Sequence, residues 1–161
     1  MGLSQSCEIK LKNKFQRGNR NLITDIPGVR VGQVTLQNAE KAIHTGVTVI
    51  LPHGGNLFKE KVPAGVSIIN GFGKSAGLIQ VQELETIETP IVMTNTFGVG
   101  TALNALTKYM LEENEDIGVH TGTVNCLVTE CNDGMLNDIR GMHLKEDHVR
   151  EAIQNADDTF E

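Results

Sequence analysis

Four short apolar runs, each closed by a polar or glycine-rich turn, set the strongest limit on what this chain can fold into. Residues 47–51 run into Pro52-His53-Gly54-Gly55, residues 66–69 into Asn70-Gly71-Phe72-Gly73, and residues 91–94 into Asn95-Thr96-Phe97-Gly98. The fourth run, 124–128, leads into the polar stretch 130–141. Such runs are too short for helices, and their β-branched residues suit buried strands that stack in one sheet. Residues 29–36 add an alternating pattern, Val29, Val31 and Gln33 against Arg30, Gly32 and Val34, as a half-buried strand requires.

Helical patterns lie between the strands. Residues 99–113 carry Val99, Leu103, Leu106 and Met110 on one face, with Thr96 or Thr101 as the expected cap. Their last turn holds Glu112 and Glu113, which the helix dipole disfavours, so fraying is expected there. Residues 145–156 group Val149, Ala152, Ile153 and Ala156, and residues 75–84 form a third pattern weakened by β-branched Ile79 and Val81. The fold class is therefore α/β (α+β). Residues 21–161 form one domain, and residues 1–20, with Lys10, Lys12, Lys14, Arg17 and Arg20, read as a flexible arm.

A chain of 161 residues fits one domain of ordinary size, or a large piece of one, and can bury a real core. Its 14 basic and 20 acidic side chains leave a net charge of −6, which argues against nucleic acid or an anionic membrane as partner. No apolar run approaches the roughly 18 residues of a membrane span. The N-terminus carries no apolar signal segment, so a cytoplasmic location is the expectation. Cys7, Cys126 and Cys131 are too few for a disulfide framework and read as buried, inert thiols. With His120 and His143 they show no metal-ligand spacing, so neither a metal nor a cofactor is expected. Glycine is abundant at 17 residues while aromatics are only 4%, which points to function carried by loops and backbone amides.

The stretch 130–141 holds Glu130, Asn132, Asp133, Asn137 and Asp138 with Gly134 and Gly141. A polar turn at a strand end can aim functional groups at a ligand, because the strand is rigid and the turn exposed. Asn-Asp-Gly is also a preferred turn sequence in its own right, so both readings stand at this level. The turn from Asn95 to Thr101 similarly suits either an anion at a helix start or tight strand-to-helix packing. Gly71-Phe72-Gly73-Lys74-Ser75-Ala76 matches a dinucleotide fingerprint after a predicted strand. The acidic ribose partner expected about 20 residues on is missing, and Lys74 adds bulk, so a dinucleotide-binding oxidoreductase is the lesser reading.

Five motifs in order resemble a known family: Ile26-Pro27-Gly28-Val29-Arg30-Val31-Gly32, Thr45-Gly46-Val47-Thr48, Asn70-Gly71-Phe72-Gly73-Lys74, Thr94-Asn95-Thr96 and Asp133-Gly134-Met135-Leu136-Asn137-Asp138-Ile139. Together they resemble the L-aminopeptidase/D-esterase family, which includes the β-peptidyl aminopeptidases. The resemblance covers about residues 21–156.

It implies an α/β/β/α sandwich like that of N-terminal-nucleophile hydrolases, in which a precursor cuts itself before a serine or threonine. The exposed residue then serves as nucleophile, with its own α-amino group as base. No residue here stands in the context of that nucleophile; Ser75 has no histidine–acid pair recognisably placed for it. The chain is thus expected to be the large-subunit portion, inactive alone, with a small nucleophile-bearing chain from the same precursor as partner. A small peptide, amide or ester substrate and a homo-oligomer are also implied. Asn137 matches the family's oxyanion-hole asparagine, with Asn132 as second choice and Asp133 and Asp138 as scaffold. Lys74 stands where aminopeptidase members carry a glutamate for the substrate amine, so it would repel that amine and suit a carboxylate. Lys74, Asn70 and Asn132 are the expected substrate-binding residues. The alternative is a non-catalytic ligand-binding or assembly module with the same fold.

Overall fold

The computed structural model describes residues 16–159. Six strands and three helices follow in the order β1 (Arg30–Asn38), β2 (Ile43–Leu51), β3 (Val62–Pro63), α1 (Leu78–Leu84), β4 (Thr86–Ile87), β5 (Ile91–Thr94), α2 (Val99–Glu113), β6 (Leu127–Glu130) and α3 (Glu146–Gln154). The main sheet has the order β1-β2-β5-β6, with β6 parallel to β5 and the other pairs antiparallel.

Register puts Gly32, Val49, Val92 and Val128 in one row across this sheet, with Val34, Val47, Thr94 and Glu130 in the next. Directly paired residues share a face, so both rows look the same way. Helices α2 and α3 cover that face. Ala102, Ala105, Leu106 and Met110 of α2, and Val149, Ala152 and Ile153 of α3, pack with Val47, Val49, Leu51, Val92 and Val128 into the core. Their helical spacing makes a single apolar stripe on each helix, and each buried valine or leucine contributes about 1.5–3 kcal/mol. Glycine is required at position 32 because α3 crosses β1 there: an added Cβ would run into the Ala152 carbonyl oxygen.

The opposite face is covered only in part among the described residues. α1 and the β3–β4 ribbon close over one end through Val81, Ile87 and Leu127. Gln33, Thr35, Thr48, Met93 and Thr129 line a cleft of about 450 Å³ on the remainder. The described residues thus supply one helix layer and one sheet layer. No helix among them is long and apolar enough to cross a membrane.

Several expectations are corrected. Residues 66–69 are not a strand, and Ile68 and Ile69 are exposed. The outer edge of β6 is taken by Ala76, whose N–H and C=O exchange hydrogen bonds with Val128, leaving that run no ladder to join. The glycine fingerprint at 71–76 therefore follows no strand, and α1 begins only after Gly77, whose φ of 83° breaks the chain direction. Neither threonine caps α2. Asn95 accepts the Gly98 N–H at 2.7 Å and starts a 3-10 turn that runs straight into the helix. The acidic end of α2 is tied, since Glu112 accepts two 2.6 Å bonds from Arg150 of α3. That guanidinium holds the Glu112 carboxyl below its ordinary value. Cys126 is buried, and burial pushes its thiol up, whereas Cys131 lies exposed just past β6 and Cys7 falls outside the described residues.

Gly32→Ala is expected to lower stability by about 1–3 kcal/mol, the usual cost of overpacking. Chemical denaturation measures it, and an unchanged midpoint would contradict the seating of α3 on β1. Alkylation at pH 8 should label Cys131 and spare Cys126, as read by peptide mass spectrometry. Equal labelling of the two would contradict the burial of Cys126.

Candidate functional site

The polar turn after β6 folds back onto the loop that joins β1 to β2. The Asp138 N–H donates to the Ala42 carbonyl at 2.7 Å, and the Asn137 N–H donates to the Asp133 carbonyl at 3.0 Å. Ala42 and Met142 both sit in the left-handed region, at φ 50° and 46°. A non-glycine residue there costs about 1–3 kcal/mol and persists only where the surroundings hold it. The two close the 3-10 turns Ala39–Lys41 and Ile139–Gly141 on either side of the contact between these loops.

Asn137 lies at the centre of that contact and is 5% exposed. Its Oδ1 accepts the His44 N–H at 3.1 Å, and its Nδ2 donates to Asp133 Oδ1 at 3.1 Å. A backbone N–H can only donate and a carboxylate can only accept, so these partners fix which way the amide faces. Nδ2 carries two hydrogens, and one remains without a protein partner among the described residues.

Glu130, the last residue of β6, links its own strand end to the turn at Lys74 and to the end of β5. Its Oε1 accepts the Lys74 N–H at 3.0 Å, and its Oε2 accepts the Thr96 hydroxyl at 2.6 Å. The Cys131 N–H bonds the Thr94 carbonyl at 2.9 Å, extending the β5–β6 ladder past its end. Asn95 Nδ2 reaches Thr45 Oγ1 on β2 at 2.8 Å. Glu130 was visible in the sequence as a strand-end acid, but no spacing rule connects position 130 to positions 74 and 96. Sequence reasoning gave it no role.

The structure brings Asn70, Lys74 and Glu130 to one cleft of about 350 Å³, while Glu130, Cys131 and Asp133 also edge the larger cleft on the open sheet face. Lys74 folds back on its own turn: Nζ donates to the Phe72 carbonyl at 2.7 Å and lies 3.4 Å from the Phe72 ring centroid. Asn70 Oδ1 accepts the Phe72 N–H at 3.0 Å, and Asn132 Oδ1 accepts the Gly134 N–H at 2.9 Å. Each of these asparagines thus spends its carbonyl on shaping a turn. Asn132 is exposed and lines neither cleft. Among the described residues, Ser75 makes no hydrogen bond to a histidine, and His120, His143, Cys126 and Cys131 do not gather as a metal-ligand set.

The model of peptidase family S58 matches residues 21–161. The chain is 35% identical over 146 residues to the β-peptidyl aminopeptidase BapA of Sphingosinicella microcystinivorans, a match covering 86% of this chain and 36% of that protein. Among solved structures, the PH0078 protein from Pyrococcus horikoshii is 57% identical with a TM-score of 0.88, covering 92% of this chain and 44% of that one. A Burkholderia β-aminopeptidase is 38% identical with a TM-score of 0.80, covering 88% and 40% of the two chains. The L-aminopeptidase D-Ala-esterase/amidase of Ochrobactrum anthropi, described as a variant of the Ntn hydrolase fold, is 31% identical with a TM-score of 0.76, covering 92% and 43%. The chain spans less than half the length of each of these relatives.

Glu130→Ala should free two donors at once and lower stability by about 1–3 kcal/mol, reckoned for hydrogen bonds to a partly exposed carboxylate. Denaturation measures the loss, and proteolysis should show new cleavage within residues 70–75. A variant as stable and as protease-resistant as the parent would contradict the linking role.

Proposed function

The chain belongs to peptidase family S58, and from that premise we propose that it forms the large-subunit portion of a self-processing serine or threonine hydrolase acting on small peptides, amides or esters. The observation that carries this reading is the buried Asn137 amide, oriented by His44 and Asp133 with one N–H to spare. A neutral donor fixed in a site of low exposure can stabilise a developing oxyanion without any reorganisation.

In this reading the nucleophile comes from a small chain of the same precursor. Its freed α-amino group, with an unperturbed pKa of about 8, takes the hydroxyl proton as the oxygen attacks the substrate carbonyl. The carbonyl oxygen becomes anionic and receives the spare Asn137 N–H. Collapse of the tetrahedral intermediate expels the amine or alcohol, which takes back the proton from the α-ammonium, and the freed α-amine then deprotonates the water that releases the acyl group. In this reading the chain alone would be inactive, because both the nucleophile and its α-amino base are supplied by the small chain. The uncovered sheet face and the exposed Ile69, Phe72, Met135 and Leu136 suit cover by that small chain and by further copies in a homo-oligomer.

Lys74 and Asn70 edge the substrate cleft, and Asn132 completes the proposed substrate-binding set from the neighbouring turn. The lysine charge favours a substrate carboxylate over a free amine. Glu130 acts on the substrate only through the Lys74 turn that it holds.

Expression with the complete natural downstream sequence should give two chains on a denaturing gel. A single uncut chain that nevertheless turns over substrate would overturn self-processing. In the processed enzyme, Asn137→Ala should lower kcat by about 10²–10³, the usual effect of losing one oxyanion donor, with KM little changed. An unchanged kcat would remove Asn137 from the oxyanion hole.

A further inference from the structure

A separate cleft of about 270 Å³ opens at the other end of the main sheet, where β1 begins and β2 and α2 end. His44, which holds Asn137, and Leu51, which lines this cleft, lie at opposite ends of β2. At about 3.3 Å per residue they are roughly 23 Å apart. The cleft therefore belongs to no part of the site described above.

Its floor is apolar, formed by Leu51, Pro90 and Met110. Most of its polar groups are already engaged. Asn56 donates to Asn114 at 2.8 Å, Asn114 donates to the Met110 carbonyl at 3.0 Å, and the His53 ring uses both nitrogens on Gly55 and Glu60. Arg30, Tyr109 and Glu113 are different. All three line the cleft, and among the described residues none of their side chains makes a hydrogen bond or ion pair. Arg30 and Glu113 are both exposed at the rim and, among the described residues, do not pair with each other. Both charges reach the Tyr109 hydroxyl, which burial and Glu113 push up and Arg30 pulls down.

We propose that this cleft binds a small zwitterion, a free amino acid, with its carboxylate on Arg30 and its ammonium on Glu113. Arg30 offers a planar fork of donors suited to a carboxylate. The ammonium side is doubly favourable, because Glu113 closes the C-terminal end of α2, where carbonyl groups without helical partners carry partial negative charge. The Tyr109 hydroxyl lines the same cleft as a further polar group, and the aliphatic floor receives an apolar side chain. The volume lies just under the roughly 300–1,000 Å³ of drug-sized sites, so it selects a ligand smaller than a peptide. The site is independent of the hydrolase reading.

Calorimetric titration of the full-length natural protein with L-leucine tests it, using isovalerate and isoamylamine as probes that each keep one charge. Leucine should bind with a Kd on the order of 1 mM, and each singly charged probe should bind at least about tenfold more weakly, a difference of about 1.4 kcal/mol. Arg30→Gln and Glu113→Gln should each cost a similar factor, while Arg30→Lys retains part of the affinity and all three leave processing unchanged. Both positions are on the surface, and unaltered circular dichroism will show that the variants fold. No leucine binding, equal binding of isovalerate or isoamylamine, or binding that survives both glutamine substitutions would each overturn the proposal.

Discussion

Burial of one face of the main sheet under α2 and α3 is the constraint on which everything else rests. Val49, Val92, Val128, Leu106 and Val149 have no exposed surface at all, and they join β2, β5 and β6 to both helices. Register then decides the remainder, since a one-residue slip would turn each apolar row outward. The β2–β5–β6 unit is rigid because three strands share that burial, and its polar groups are displaced to the strand ends. The loops at 70–75, 95–98 and 130–142 meet where β5 and β6 end.

What assembles at that edge is held by few but directional contacts. Glu130 ties two turns to β6, and Asn137 ties the polar turn to the start of β2. The left-handed Ala42 and Met142 carry local strain where two 3-10 turns end beside this contact. A proposed oxyanion donor benefits from that cost, because a fixed dipole needs no reordering when charge develops. Lys74 sits beside this framework but turns its charge onto Phe72, so the cleft keeps a cation at its rim rather than at its floor.

Periodicity made most of the architecture legible. Helix α2 has the same bounds in the pattern and in the structure, 99–113, because its apolar residues keep a clean helical spacing against a flat sheet. Strand β5 was legible as a short continuous apolar run, 91–94, closed by a polar turn. Residues 66–69 misled because a short, mostly apolar run describes a strand only if a neighbour offers free hydrogen bonds, and Ala76 had taken the edge of β6. The Asn95 cap was hidden by a 3-10 turn that no hydrophobic period marks. In the site, Asn137 was reached through its motif, whereas Glu130 was missed because its partners lie 56 and 34 residues away. Long-range pairing of polar groups leaves no trace in local pattern.

The role of the Asn137 amide is tested most directly by a crystal structure of the processed enzyme carrying a covalent tetrahedral inhibitor, such as a boronate, on its nucleophile. The anionic oxygen should lie about 2.7–3.1 Å from Asn137 Nδ2, the range for an oxyanion donor. The His44 and Asp133 contacts should be unchanged from those described above. An oxygen beyond hydrogen-bond distance of Asn137, or an adduct on a residue of this chain, would contradict the account.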